Sequence, residues 1–145
     1  ARRLQRKYFP LARSFGLNAF VLALGMERFF WDYHIPCHAR WGVPGWRFWK
    51  DIQSMLERDL PVILCVGVSF PLPWGKGKLD FYQRQPDGEY RSVTATRAHY
   101  VTVTGMDGEW LRVSSWGREY FIRREEYQRY RRQQSCGLYS NILHL

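Results

Sequence analysis

From His99 to Gly117 the chain reads His-Tyr-Val-Thr-Val-Thr-Gly-Met-Asp-Gly-Glu-Trp-Leu-Arg-Val-Ser-Ser-Trp-Gly, two alternating runs split by Asp-Gly. Alternation with period two marks a strand with one buried face, and Asp-Gly between two such runs is a strong hairpin signal. The segment predicts an antiparallel hairpin with strands at 100–106 and 109–114 and its turn at Asp107-Gly108. Tyr100, Thr102 and Thr104 then lie on one face; His99 points with Val101, Val103 and Gly105 to the other. Counting outward pairs Met106 with Glu109 and sets His99 opposite Trp116, with Ser114 two residues short of it and able to approach the imidazole if a bulge intervenes. A histidine held at a strand end beside a returning hydroxyl has the layout of a general base and its orienting partner.

The rest of the chain supplies helices and further strands. Residues 1–15 form a basic arm (Arg2, Arg3, Arg6, Lys7) interrupted by Pro10, and Asn18 is a helix N-cap. Residues 19–33 are apolar nearly all round, which predicts a buried helix ended by Pro36. Trp46, Trp49, Ile52 and Leu56 recur at helical spacing and predict a second helix over 46–59. The continuous apolar run 61–69 predicts a central strand, and the Pro- and Gly-rich stretch 70–78 a loop. Strands are expected at 81–85 and 89–94 around Pro86-Asp87-Gly88, then at 120–122 and 139–145. A short charged helix over 124–133 lies between the last two, and its arginines read as a solvated face. The whole predicts one α+β domain over 1–145, with a buried N-terminal helix packed on an antiparallel sheet.

Composition removes several classes of function. Hydrophobic residues make up 46% and aromatics 17%, the content of a packed domain and not of a disordered one. No apolar run reaches the roughly 18 residues of a membrane helix, and no apolar stretch stands behind the basic N-terminus as in a secretory signal. The chain begins without methionine, which predicts a domain of a larger protein or a processed product. These features leave the compartment open. The net charge of +9 admits nucleic acid or an anionic cell surface as a partner, although no RRM or zinc-finger pattern accompanies it.

His-Tyr-Val-Thr-Val-Thr-Gly, the hairpin, Val113-Ser114-Ser115-Trp116-Gly117 and Tyr120-Phe121-Ile122 together resemble the C-terminal half of papain-like cysteine peptidases. They are most similar to domains of the bacteriocin-processing type. In that superfamily a histidine opens one strand, and an Asn or Asp before a Trp-Gly pair on the next strand orients it. The resemblance implies a papain-like fold, no cofactor, a peptide or protein substrate, and acyl transfer on a peptide or related amide bond. It makes His99 the base and Ser114 its orienting residue, with Trp116 shielding their contact and lining the substrate cleft with Trp74. Ser114 stands where the family has an amide or a carboxylate, and a hydroxyl brings no charge to balance an imidazolium.

The family's nucleophile heads its long helix, where the helix dipole lowers the thiol pKa. Its Asn-Cys-Gly pattern, with Leu-Ala-Met five residues past the cysteine, falls on Asn18-Ala19-Phe20 and Leu24-Gly25-Met26. The nucleophile position is therefore Ala19, which implies a pseudoenzyme or a deliberate Cys→Ala replacement. The oxyanion donor six residues earlier falls on Arg13, with Asn18 and the helix-head amides as the alternative.

Other clusters have their own readings. His34, Cys37 and His38 in His-Ile-Pro-Cys-His offer three metal-type ligands, with His144 as a distant fourth, against a plain loop. Cys37 and Cys136 are alternative nucleophiles, and Cys65 reads as a buried small residue in a strand. Trp41, Trp46 and Trp49 read as core, with a substrate-stacking wall as the alternative. Trp74-Gly75-Lys76-Gly77-Lys78 lacks P-loop spacing and reads as an exposed loop. Three functions are thus expected: a peptidase-like domain inactive at position 19, a pseudoenzyme that binds a peptide or protein, or a basic nucleic-acid or cell-surface binder.

Overall fold

The computed structural model describes residues 7–8, 19–42, 46–67, 77–134 and 142–144. In chain order its elements are α1 (Ala19–Asp32), β1 (Arg40–Trp41), α2 (Phe48–Glu57), β2 (Val62–Val66), β3 (Leu79–Arg84) and β4 (Tyr90–Thr96). β5 (His99–Asp107), β6 (Trp110–Ser115), β7 (Arg118–Arg123), α3 (Arg124–Gln134) and β8 (Ile142–His144) follow. The strands form one antiparallel sheet in the order β1-β8-β2-β5-β6-β7-β3-β4. The molecule is α+β, as the alternation of patterns predicts.

β2 shows why its sequence is apolar without a break. Val62, Leu64 and Val66 point into one core while Ile63 and Cys65 point to the other, so both faces of the strand are covered. The larger core joins those three to Phe48, Ile52 and Met55 of α2, Val101 and Val103 of β5, Leu111 and Val113 of β6, and Tyr127 and Tyr130 of α3. Each fully buried Val, Leu, Ile or Phe contributes roughly 1.5–3 kcal/mol. The smaller core lies on the opposite face, where α1 rests its Ala19 and Ala23 against Trp41, Ile63, Cys65 and Tyr100.

Both α1 and α2 end in a left-handed residue closed by a pair of backbone bonds. The Ile35 and His34 amides donate to Phe30 O and Trp31 O around His34 (φ 52), and Leu60 and Asp59 to Met55 O and Leu56 O around Asp59 (φ 57). This satisfies the last carbonyls of each helix without glycine. Pro36 then follows the stop of α1 instead of causing it.

Two expectations need correction. α1 is not buried all round: Leu24 and Trp31 are exposed, the latter 83%, and Phe20 is half exposed with its ring edge-on to Trp41 of β1. A single sheet covers only one side of a helix, so its full set of apolar residues does not imply full burial. The charged helix α3 has the expected solvated face, and its other side locks Tyr127 and Tyr130 into the core with Arg131 5.1 Å over the Phe48 ring. Of the tryptophan group, Trp49 packs on the core and Trp41 on the α1 cluster, whereas Trp46 is exposed.

Candidate functional site

β5 and β6 form the expected hairpin with a different count. The turn residues are Gly108 and Glu109, with Gly108 at φ +47, so Asp107 pairs with Trp110 and Met106 with Leu111. Glycine at the first central position suits the twist of a two-residue hairpin. A bulge between Val103 and Gly105 then shifts the ladder by one residue, and Thr102 pairs with Ser114. Arg112 lies back across Gly105, whose missing side chain makes room for the guanidinium.

The shift decides which serine meets the histidine. Ser114 sits on the Thr102 face and is exposed, while Ser115 follows Leu111 and Val113 inward and is 8% exposed. His99 Nε2 lies 2.5 Å from Ser115 Oγ. The hydroxyl in contact with the imidazole is therefore that of Ser115, one residue beyond the expected Ser114. The signal was present in the buried alternation Leu111, Val113, Ser115; the anticipated bulge exists, and it brings in Ser115 instead of Ser114.

Trp116 completes the cluster. Its indole stacks on the His99 ring with centroids 4.1 Å apart and planes 12° from parallel, and its edges meet Phe81 at 5.8 Å and Tyr120 at 5.7 Å. Trp116 (φ 48) and Gly117 (φ 71) are the two turn residues between Ser115 and Arg118, both left-handed. A bulky side chain in that region costs about 1–2 kcal/mol. Aromatic stacking returns about 0.5–1.5 kcal/mol beyond burial, so the contacts of the indole offset most of the strain. Burial holds the His99 imidazole below its ordinary pKa of 6.5, and the ring is neutral near pH 7.

Ala19 opens α1 and is buried, in a cluster that includes Tyr100, the residue after His99, and Cys65, the residue before its cross-strand partner Val66. Strand alternation sends Tyr100 to that face and His99 to the other. Position 19 and the imidazole thus belong to opposite faces of the sheet and can meet only around the end of β5, where His99 is the first residue. Arg13, Asn18, Trp74 and Cys136 lie outside the described residues.

Among the described residues no three His, Cys, Asp or Glu side chains are grouped to hold a metal ion. His38 Nδ1 instead stands 3.4 Å from Glu27 and Cys37 is exposed. Burial pushes the Cys65 thiol up to about 11 against a smaller opposing effect of its bond with Tyr100, which makes it a poor nucleophile. No described helix is long and apolar enough to cross a membrane. No protein-family model, no curated protein and no solved structure matches the chain.

Proposed function

We propose that this chain is a papain-like, cysteine-peptidase-type domain that holds a peptide or amide-bearing segment at its His99–Trp116 end. With alanine at position 19 it carries out no thiol-based acyl transfer there. The reading rests above all on one observation, the neutral imidazole of His99 fixed by Ser115 on its edge and Trp116 on its face. A hydrogen-bonded partner and an aromatic cover are what a general base needs to keep one orientation. In this reading Ser115, not Ser114, is the orienting residue. Ala19 is the vacant nucleophile position, at a helix head where the macrodipole stabilises a thiolate.

Introducing a thiol tests the assignment. In the Ala19→Cys variant, alkylation of the new side chain by iodoacetamide near pH 6.5 is expected to exceed that of exposed Cys37 by about tenfold or more, the equivalent of about one pKa unit. His99→Ala is expected to remove the difference. An introduced thiol that reacts no faster than Cys37 overturns the peptidase-type reading. The binding-module alternative is favoured by the separation of Ala19 and His99 onto two sheet faces. It predicts that Trp116→Ala weakens capture of extended peptides while Ala19→Cys leaves it unchanged, in a fluorescence-anisotropy titration.

A further inference from the structure

We infer that Ser115 is itself a nucleophile, activated by His99, and that the chain acylates this serine with small activated esters. The inference uses the assignment of His99 as a base from the proposed function but needs nothing of position 19. Its first support is distance: a hydroxyl 2.5 Å from an imidazole nitrogen is within the reach of a nucleophile–base pair. Its second is the tautomer. With the proton on Nε2, Ser115 is only an acceptor and Nδ1 is the basic nitrogen; with the proton on Nδ1, Nε2 accepts from the Ser115 hydroxyl. A neutral ring can take either arrangement, and the second makes Ser115 the donor and Nε2 the base.

The third support is the backbone beyond the serine. Ser115 is the last residue of β6, directly before the left-handed pair Trp116-Gly117. Strain at a bulky residue points to function when a reactive pair stands beside it. The central amides of a two-residue turn lie outside the strand ladder, and the Trp116 amide follows the nucleophile directly, a position from which an N–H can serve an oxyanion. Access defines the substrate. Ser115 is 8% exposed and the indole lying on His99 is 54% exposed, so only a small acyl or phosphonyl group passes its edge.

The chemistry closes on these groups. Ser115 Oγ bonds to the ester carbonyl carbon as its proton moves to His99 Nε2. The tetrahedral adduct collapses, the bond to the leaving alkoxide breaks, and that oxygen takes the proton from Nε2. Water then repeats the sequence on the acyl-serine, releasing the acid and restoring the hydroxyl. With an alkyl fluorophosphonate the Oγ–P bond forms as the hydroxyl proton moves to His99 Nε2, the P–F bond breaks, the fluoride leaves and the proton passes from Nε2 to water, and the adduct stops there.

The test is to treat the full chain with an alkyl fluorophosphonate and read the intact mass, followed by fragmentation of the tryptic peptide Val113–Arg118. One adduct on Ser115, absent after heat denaturation, is expected. His99→Gln should slow its formation by about 100-fold or more. Ser54→Ala, on the exposed side of α2, should leave it within about twofold. The mapping on the unaltered chain needs no variant, so a poorly folded His99→Gln protein does not obscure it. No adduct above the denatured control, or an adduct on Ser114 or elsewhere, overturns the inference. If Ser115 stays unlabelled while the thiol of Ala19→Cys is activated, the peptidase-type reading stands with Ser115 as orienting residue only. If Ser115 is labelled while the thiol of Ala19→Cys is not activated, the serine nucleophile stands and the peptidase-type reading falls.

Discussion

His99 couples the site to stability through its protonation. Its folded pKa lies below 6.5, so above that value both folded and unfolded imidazoles are neutral and pH has no leverage through it. Below it the unfolded chain binds a proton that the folded chain resists, and stability falls until the folded pKa is passed. The urea midpoint should therefore drop between about pH 7 and pH 5, and His99→Gln should flatten that slope; an unchanged slope would assign it to other groups. Gly117 tests the turn beside the site. A methyl built there meets nothing within 4 Å, so Gly117→Ala carries only the left-handed penalty, about 1 kcal/mol. A thermal midpoint lower by roughly 2–4 °C is expected.

At the scale of elements, α1 is the more apolar helix in sequence and α2 the more deeply buried, and they answer to mutation differently. Phe48 of α2 is fully buried, stacks on Tyr127 at 5.3 Å and meets Trp49 edge-on at 4.6 Å. Phe48→Ala should cost about 3–5 kcal/mol in denaturant titration, and Ile52→Val about 0.5–1.5 kcal/mol. In α1, Trp31→Ser should stay within about 0.5 kcal/mol because the side chain is largely in water. Ala23→Leu should overpack the small interface with the sheet and cost about 1–3 kcal/mol. The periodicity of α2 carried this information, since its charges interrupt the stripe and reveal an outer face. α1 has too few charges to show which side the sheet would cover.

The whole molecule carries a set of tyrosines that makes it sensitive to alkali. Burial raises the hydroxyls of Tyr82 and Tyr130 to about 12, Tyr82 with a further push from the Glu126 carboxylate to which it donates at 2.8 Å. Tyr100 and Tyr127 are raised further by the same cause. Each is neutral in both states below pH 10. Above it the unfolded chain ionises first, so stability is full below pH 10 and is lost as pH rises through 12. Cooperative unfolding in that window is expected by circular dichroism, coincident with tyrosinate absorbance near ~295 nm as several residues ionise at once. Tyr82→Phe should move the onset upward by removing one of the linked protons. Gradual, non-cooperative tyrosinate formation without loss of structure would contradict it.

The sequence by itself determined the class of the fold, the central strand 61–69 through Val66, the hairpin around Gly108, and the histidine at its entrance. These are local properties: alternation, apolar runs and turn residues act within a few positions, and tertiary packing only ratified them. Tertiary structure decided what depends on register between strands. One bulge in β5 exchanged Ser114 for Ser115 as the partner of His99, because a one-residue slip turns every following side chain to the other face. It also decided which side of α1 is covered and placed Ala19 across the sheet from the imidazole, since helix position depends on residues far away in the chain.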